Sequence, residues 1–446
     1  MFMRFAGRPF GRAVAVVALC ALFVACGGGG GGGHKKKNQA PSASFTLAPA
    51  SGLIPLAVSV NASGSTDRDG TIGSYVWDFG DGSASASGVT VTHDYAAVGY
   101  YTITLRVTDD KGASASAVRH ATAMTDVAAQ WYSVEEIPSL GGSYTEPRRV
   151  NNLGNVTGFS YLANSKTAHA FLYSGGSTRD LGTLGGPESY GEDVNDAGDV
   201  VGVSETTSGD RAFLYRAGTM RDLGTLGGPY SEANGINERG QIVGASYDSS
   251  GSIRAFMHED NSMHSLGTLG GDYSTANDVS ASGKVAGRSR TAANEEHLFI
   301  YEGGVMSDAG SGLPNTQLWA TAINDRTDVV GMWAPPQGYV GLTGFLYRSG
   351  VLGSLVDGYS EPLDVNNPGV VVGYAHFQNG TVGHAFVWDA TNGIQDLNSL
   401  IEPSLGITLQ VAEGTNDIGQ IVVHGYRTAT GENVAVLLTP TAKPAP

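Results

Sequence analysis

The chain has 446 residues, 65 of them glycine, with hydrophobic residues at 41%, charged residues at 15% and a formal net charge of −16. So much glycine with so little charge excludes a helical bundle and a solvated low-complexity chain, and the length leaves room for two or three domains. The acidic balance repels phosphate backbones, which excludes nucleic acid as the expected partner, and the only cysteines, Cys20 and Cys26, lie too near the N-terminus to staple a folded domain.

Residues 1–25 carry Arg4, Arg8 and Arg12 ahead of an apolar run at 13–25 that is too short to span a bilayer. This is the pattern of a signal peptide. Phe23-Val24-Ala25-Cys26 resembles a bacterial lipobox, in which the leader is cut before the cysteine and Cys26 carries the lipid; Phe23 stands where leucine is usual. Gly27 after the cysteine, rather than aspartate, fits by the same resemblance an outer-membrane or cell-surface lipoprotein. An ordinary secretory signal with a chance cysteine is the alternative. Residues 26–40 hold a glycine run (27–33) and Lys35-Lys36-Lys37, and read as a flexible tether whose lysines meet anionic headgroups or serve as plain linker.

Residues 41–125 form the next unit. Ser44-Phe45-Thr46-Leu47, Ala57-Val58-Ser59-Val60, Tyr75-Val76-Trp77-Asp78-Phe79 and the segment 101–107 alternate with period two, the mark of half-buried strands, between Gly, Asp, Ser and Pro turns. A β-sandwich is expected. Trp77-Asp78-Phe79-Gly80-Asp81-Gly82, His93-Asp94-Tyr95 and Gly99-Tyr100-Tyr101-Thr102-Ile103 resemble a PKD (polycystic kidney disease) domain, an immunoglobulin-like module. That resemblance implies a spacer or a carbohydrate- or protein-contacting accessory, not a catalyst. Asp67 and Asp69, two apart on a turn, with Asn61 and Asp78, are candidate oxygen ligands for Ca²⁺. The competing reading is an Asx turn, in which the carboxylates bond their own backbone.

From 128 to 440 one nine-residue phrase recurs seven times, with the type copy Val194-Asn195-Asp196-Ala197-Gly198-Asp199-Val200-Val201-Gly202. The residues after the first apolar position are Asn151, Asn195, Asn237, Ser280, Asn324, Asn366 and Asn416, spaced 44, 42, 43, 44, 42 and 50 apart. This is the period of a four-stranded propeller blade. Asn-Asp-x-Gly supplies a hairpin turn, with glycine at the φ > 0 position. Thr327 replaces that glycine in the fifth copy, so a differently shaped hairpin is expected there. Phe171, Phe213, Phe256, Phe299, Phe345 and Phe386, with Val436 last, repeat as core wedges, and Leu181-Gly182-Thr183-Leu184-Gly185-Gly186 links one blade to the next.

The region opens on Tyr132-Ser133-Val134-Glu135-Glu136-Ile137, which aligns with a fourth strand, and closes on 433–438, which aligns with a third. The expectation is an all-β chain: the sandwich, then a seven-bladed β-propeller closed by strand overlap, and a tail at 441–446. An open solenoid is the alternative. Ala168-His169-Ala170-Phe171 and Gly383-His384-Ala385-Phe386 resemble the HAF-repeat family, which implies an exported or surface protein of bacteria and no particular activity.

Before the turn in each of the first six copies lies an aromatic: Tyr144, Tyr190, Tyr230, Tyr273, Trp319 and Tyr359, with Glu146, Glu192, Glu232 and Glu361 nearby. Grouped at one mouth of a channel, these stack on sugar rings and bond hydroxyls; packed between blades, they are structure. Trp333, in the aromatic and proline-rich stretch 332–339, is a further candidate contact. No His-Glu-x-x-His, Gly-x-Ser-x-Gly or phosphate-cradling loop occurs, so no catalytic residues are assigned. Glu295-Glu296-His297 reads as a solvated acidic patch. The expected function is a surface-anchored, monomeric binding or adhesion protein for a glycan or protein, held to the membrane by its lipid, with no cofactor beyond Ca²⁺. The alternatives are a carbohydrate-active propeller enzyme acting through carboxylates such as Glu192 and Glu232, and a structural envelope protein.

Overall fold

A computed structural model describes residues 38–124, 130–310, 317–334, 342–356, 358–377 and 382–442. The leader, Cys26, nearly all of the tether, most of the tail and most of the blade-five insertion lie outside the described residues.

The N-terminal unit is a sandwich of two sheets. Thr46–Ala48, Leu56–Asn61 and Thr90–Tyr95 form one; Ser51–Leu53, Ser114–Met124, Gly99–Asp109, Ile72–Asp78 and Ala86–Ser87 form the other. The alternating apolar positions read from the sequence face inward. Val58, Val60, Trp77, Ile103, Leu105 and Val107 are buried together, and Phe45 meets Trp77 edge-on at 4.9 Å. The Trp77 indole donates to the Gly88 carbonyl at 2.9 Å, and the Tyr95 hydroxyl to that of Phe79 at 2.9 Å, so neither buried aromatic leaves a polar atom orphaned.

The C-terminal unit is a β-propeller of seven four-stranded sheets, each antiparallel. The innermost strands of blades 1 to 7 are Gly141–Val150, Ser189–Val194, Gly227–Ile236, Gly270–Val279, Gln317–Ile323, Ser360–Val365 and Ile407–Thr415. The phenylalanine wedges are fully buried in every blade that has one, and Val436 takes that place in blade 7. Burying each such side chain contributes roughly 1.5–3 kcal/mol. Blade 7 takes its outer strand from the start of the region: Gln130–Glu136 pairs with Asn433–Ala442, with Val134 opposite Leu438. This pairing closes the ring and excludes the open solenoid.

The fifth hairpin corrects an expectation. Thr327 adopts φ 66°, the same left-handed region as Gly198 at 78°, and its N–H bonds the Asn324 carbonyl at 3.0 Å as that of Gly198 bonds Asn195. The hairpin keeps its shape because the Asn324 carboxamide oxygen accepts from the N–H groups of Arg326 and Asp328 at 3.0 and 2.9 Å. The turn is fixed by the asparagine, and the threonine carries the strain.

Candidate functional site

Every innermost strand ends at its asparagine turn, so the seven turns ring one end of the central channel. The asparagine carboxamides form a hoop just inside. Asn151 donates to the carbonyl of Asn195, Asn195 to Asn237, Asn237 to Ser280, Asn324 to Asn366 and Asn366 to Asn416, at 2.8–3.3 Å. Outside it the next residue of each turn makes a rim. Asp417 accepts from the Asn367 N–H at 2.8 Å, Glu238 from that of Asp196 at 2.9 Å, and Asp196 from that of Asn152 at 2.8 Å. Burial, with like charge beside it, pushes Glu238 up to about 7 and Asp417 up to about 6. Tyr100 of the sandwich, stacked on His120 at 4.7 Å, bonds Asp196 and lines the cavity of about 210 Å³ beneath this rim.

A septum lies deeper, two residues before each asparagine. The sequence there alternates: Arg149, then Asp193, Gly235, Asp278, Ala322, Asp364 and Gly414. Each aspartate reaches over its small neighbour and accepts the backbone N–H of the next blade: Ile236 on Asp193 at 2.8 Å, Ile323 on Asp278 at 2.9 Å, Thr415 on Asp364 at 2.8 Å. Arg149 donates to the Glu413 carbonyl at 2.9 Å and lies 3.9 Å from Asp364. Burial raises the carboxyls of Asp193 and Asp278 above the usual range, and one guanidinium among three acids offsets only part of that rise.

Beyond the septum each innermost strand carries a register shift that leaves one residue extra, a β-bulge in every blade. The extra residues are Arg148, Glu192, Asn234, Asn277, Thr321, Leu363 and Glu413. Together with Arg149 they line a second cavity of about 110 Å³. A bulge re-aims a side chain, and here seven do so toward one axis. Apart from Glu192, these residues were not singled out by the repeat pattern, because no two adjacent blades share a residue type there except Asn234 and Asn277. The signal was the glycine that ends the first six repeat phrases. Gly158, Gly202, Gly244, Gly287, Gly331 and Gly373 sit where a Cβ would collide with the backbone carbonyl of the residue two before the bulge.

The aromatics lie farther along the same strands, toward the end away from the asparagine turns. Tyr144 donates to Glu146 at 2.7 Å, Tyr230 to Glu232 and Tyr359 to Glu361. In blade 2 the order is reversed, and Tyr190 donates to Glu188 at 2.8 Å; Glu192, paired with it from sequence, is instead the bulge residue. Tyr273 accepts from Arg288 at 2.7 Å and lies under the guanidinia of Arg288 and Arg290 at 5.2 and 5.4 Å. Trp319 is half-buried opposite Met332, and Trp333 packs on the core between blades 4 and 5. The structure thus aligns these tyrosines on one end of the ring with their hydroxyls engaged.

Other sequence readings change in the structure. His297 is buried and holds Asp308 at 2.8 Å, and Glu296 lies 3.4–3.6 Å from Arg290 and Arg288, so this is a packed ion cluster and not a solvated patch. His169 and His384 hold Asp180 and Asp396 in the same way, at 2.9 and 2.7 Å. The four oxygen ligands proposed for Ca²⁺ do not converge. Asp78 sits six residues along its strand from Ile72, about 20 Å at roughly 3.3 Å per residue. Asn61 and Asp78 close Asx turns on Ser63 and Gly80, both at 2.9 Å. Asp67 bonds the Asp69 N–H at 3.3 Å, while its other oxygen is buried without a hydrogen-bond partner, as is Oδ1 of Asn38. Among the described residues no three His, Cys, Asp or Glu side chains are grouped to hold a metal, and no helix is long and apolar enough to cross a membrane.

Residues 38–125 match the family model described as the PKD domain. The N-terminal sandwich is a PKD domain. A microbial collagenase of Vibrio alginolyticus is 34% identical over 121 residues, 27% of this chain, and the match spans only 13% of that relative's length. The crystal structure of the PKD1 domain of Vibrio anguillarum Epp is matched at 39% identity over 20% of this chain and 100% of its own, with a TM-score of 0.18. The β-propeller domain of the Trilobed protease from Pyrococcus furiosus is similar over 79% of this chain and 97% of its own, at 11% identity and a TM-score of 0.43.

Proposed function

We propose that this is an exported, lipid-anchored binding protein in which a PKD spacer carries a HAF-repeat propeller, and the propeller channel takes a glycan or protein ligand without catalysis. The observation that carries this reading is the set of seven bulges. Wedge phenylalanines and turn asparagines recur because they hold blades together. The bulge residues face the channel, vary from blade to blade, and so supply the asymmetry that a binding site requires. The anchor at Cys26, the cell-surface location and the monomeric state belong to the same proposal. The acidic rim keeps nucleic acid excluded as a ligand.

The test is a glycan array and an envelope-protein pull-down on the full chain in mild detergent. Saturable binding that Trp319→Ala weakens at an unchanged melting temperature supports the reading with the aromatics as contacts. No ligand of either class points to a structural envelope protein. For Ca²⁺ the remaining candidates are Asp67 and Asp69 with Oδ1 of Asn38, and the readout is a melting temperature raised by Ca²⁺ and restored by EDTA.

One observation favours an enzyme as the second reading. Glu146 and Glu413 are both buried near His424; burial alone would lower the imidazole pKa, but the two carboxylates raise it. Glycoside turnover abolished by Glu413→Gln, with the fold intact, would establish that reading.

A further inference from the structure

Resting on the binding reading above, we propose that the chamber formed by the seven bulges is a subsite for one neutral sugar unit or a small polyol of that size. Its volume of about 110 Å³ holds about four waters at roughly 30 Å³ each, the space of a small polyol or of one edge of a sugar unit and not of an oligosaccharide.

The hydrogen-bond inventory of the wall points to hydroxyls. Arg148 gives Nη2 to Glu146 at 2.9 Å, but its Nε and Nη1 are buried with no acceptor among the described residues. Asn277 Oδ1 is buried with no donor. The corresponding residues of blades 3 and 5 behave differently: Asn234 and Thr321 each donate to a carbonyl of the next blade at 2.8 Å. Leaving buried donors and an acceptor unmatched costs about 1–3 kcal/mol each. A hydroxyl both accepts and donates, so the hydroxyls of one ligand can meet the Arg148 donors and the Asn277 acceptor.

Charge selects a neutral ligand. Arg148 is paired with Glu146, Arg149 lies against Asp364, and His424 is 3.2 Å from Glu413. An anionic sugar would face the Glu413 and Glu192 carboxylates, and a cationic one the two guanidinia. Leu363 supplies the apolar patch on which a sugar's C–H face rests. The chain Tyr144 to Glu146 to Arg148 joins this floor to the aromatic end of the ring, so a longer glycan can lie over the tyrosines with its terminal unit below.

The test is saturation-transfer NMR and calorimetry on the full chain with glucose, galactose, N-acetylglucosamine, glucuronate and glucosamine as probes. The expected result is saturable binding of a neutral probe, weaker or absent binding of the two charged ones, and a loss of about tenfold or more in Asn277→Leu and in Arg148→Met. Asn277 Oδ1 bonds nothing among the described residues, so Asn277→Leu decides the matter should Arg148→Met disturb the seam between blades 7 and 1. Neutral-sugar binding untouched by Asn277→Leu overturns the subsite while leaving the binding reading in place. So does a positive glycan array with no monosaccharide bound. Silence in the array, the pull-down and the titrations overturns both.

Discussion

Asn416 donates from its side-chain nitrogen to the backbone carbonyl of Asn151 at 2.8 Å, across 265 residues of chain. It is the link by which the last blade's turn holds the first, and it makes six of seven possible links in the hoop. Asn416→Ala strips that link and removes the acceptor for the Gln420 N–H, which its carboxamide oxygen holds at 2.8 Å. The expected loss is about 1–3 kcal/mol in chemical denaturation, because buried backbone groups are left unpaired.

The missing link is at Ser280, whose hydroxyl is too short to reach blade 5; it bonds Ser282 at 2.8 Å instead. Ser280→Asn completes the hoop to the Asn324 carbonyl. It is expected to add about 0.5–1.5 kcal/mol, read as a higher denaturant midpoint at unchanged slope.

Thr327→Gly is expected to stabilise the protein by about 1 kcal/mol, since glycine occupies φ 66° without the Cβ penalty. The gain is trimmed by losing the bond from the Lys284 ammonium to the Thr327 hydroxyl at 2.9 Å. A melting temperature lower than that of the parent would show that the lysine contact outweighs the strain.

Stability should rise on mild acidification. Glu238 moves from an ordinary 4.5 to about 7 and Asp417 from 3.8 to about 6, with Asp193 and Asp278 displaced in the same direction. Below the unfolded values both states are protonated and the penalty vanishes; it grows between about pH 4 and 7 and is complete above. His424, raised by Glu413 and Glu146, acts in the same direction, stabilising below 6.5 and losing that effect as the pH climbs through its folded value. Asp248 and Asp328 are lowered, so what they contribute is lost only below about 3.8. Melting curves at pH 5 and 7.5 should therefore favour pH 5, and Asp278→Asn should flatten the difference.

Placing proline at Glu135, whose N–H faces Leu437 in the same register that puts the Ile137 N–H on the Ala435 carbonyl at 2.8 Å, removes a ladder donor of the overlap strand and should cost about 1–3 kcal/mol, seen as an early loss of strand signal on heating. A melting curve like the parent's would mean that the ring holds without its overlap.

The symmetric part of this fold is legible in the chain because repetition exposes it. The wedge phenylalanines, the turn asparagines and the spare N-terminal strand all lie where the repeat alignment puts them. The floor of the channel was hidden for the opposite reason. A bulge has no residue type of its own, so Arg148, Asn277 and Leu363 share nothing in sequence that marks them as neighbours. The reversal of Glu188 and Tyr190 shows the same limit, since the pairing survives while its order does not. At the sandwich, carboxylates close in sequence turned out to serve separate turns, because a straight strand carries Asp78 away from Asp67.

The overlap strand sets an order on biosynthesis. Gln130–Glu136 is made early, and its partner Asn433–Ala442 comes roughly 300 residues later, as the Ser133 to Thr439 contact across 306 residues shows. Until then Tyr132 and Val134 have no blade to cover them, while six blades accumulate beside an unfinished seventh. The nascent chain therefore carries an uncovered apolar strand through most of its synthesis, a window in which a holdase, or a second nascent copy pairing in its place, competes for the same edge.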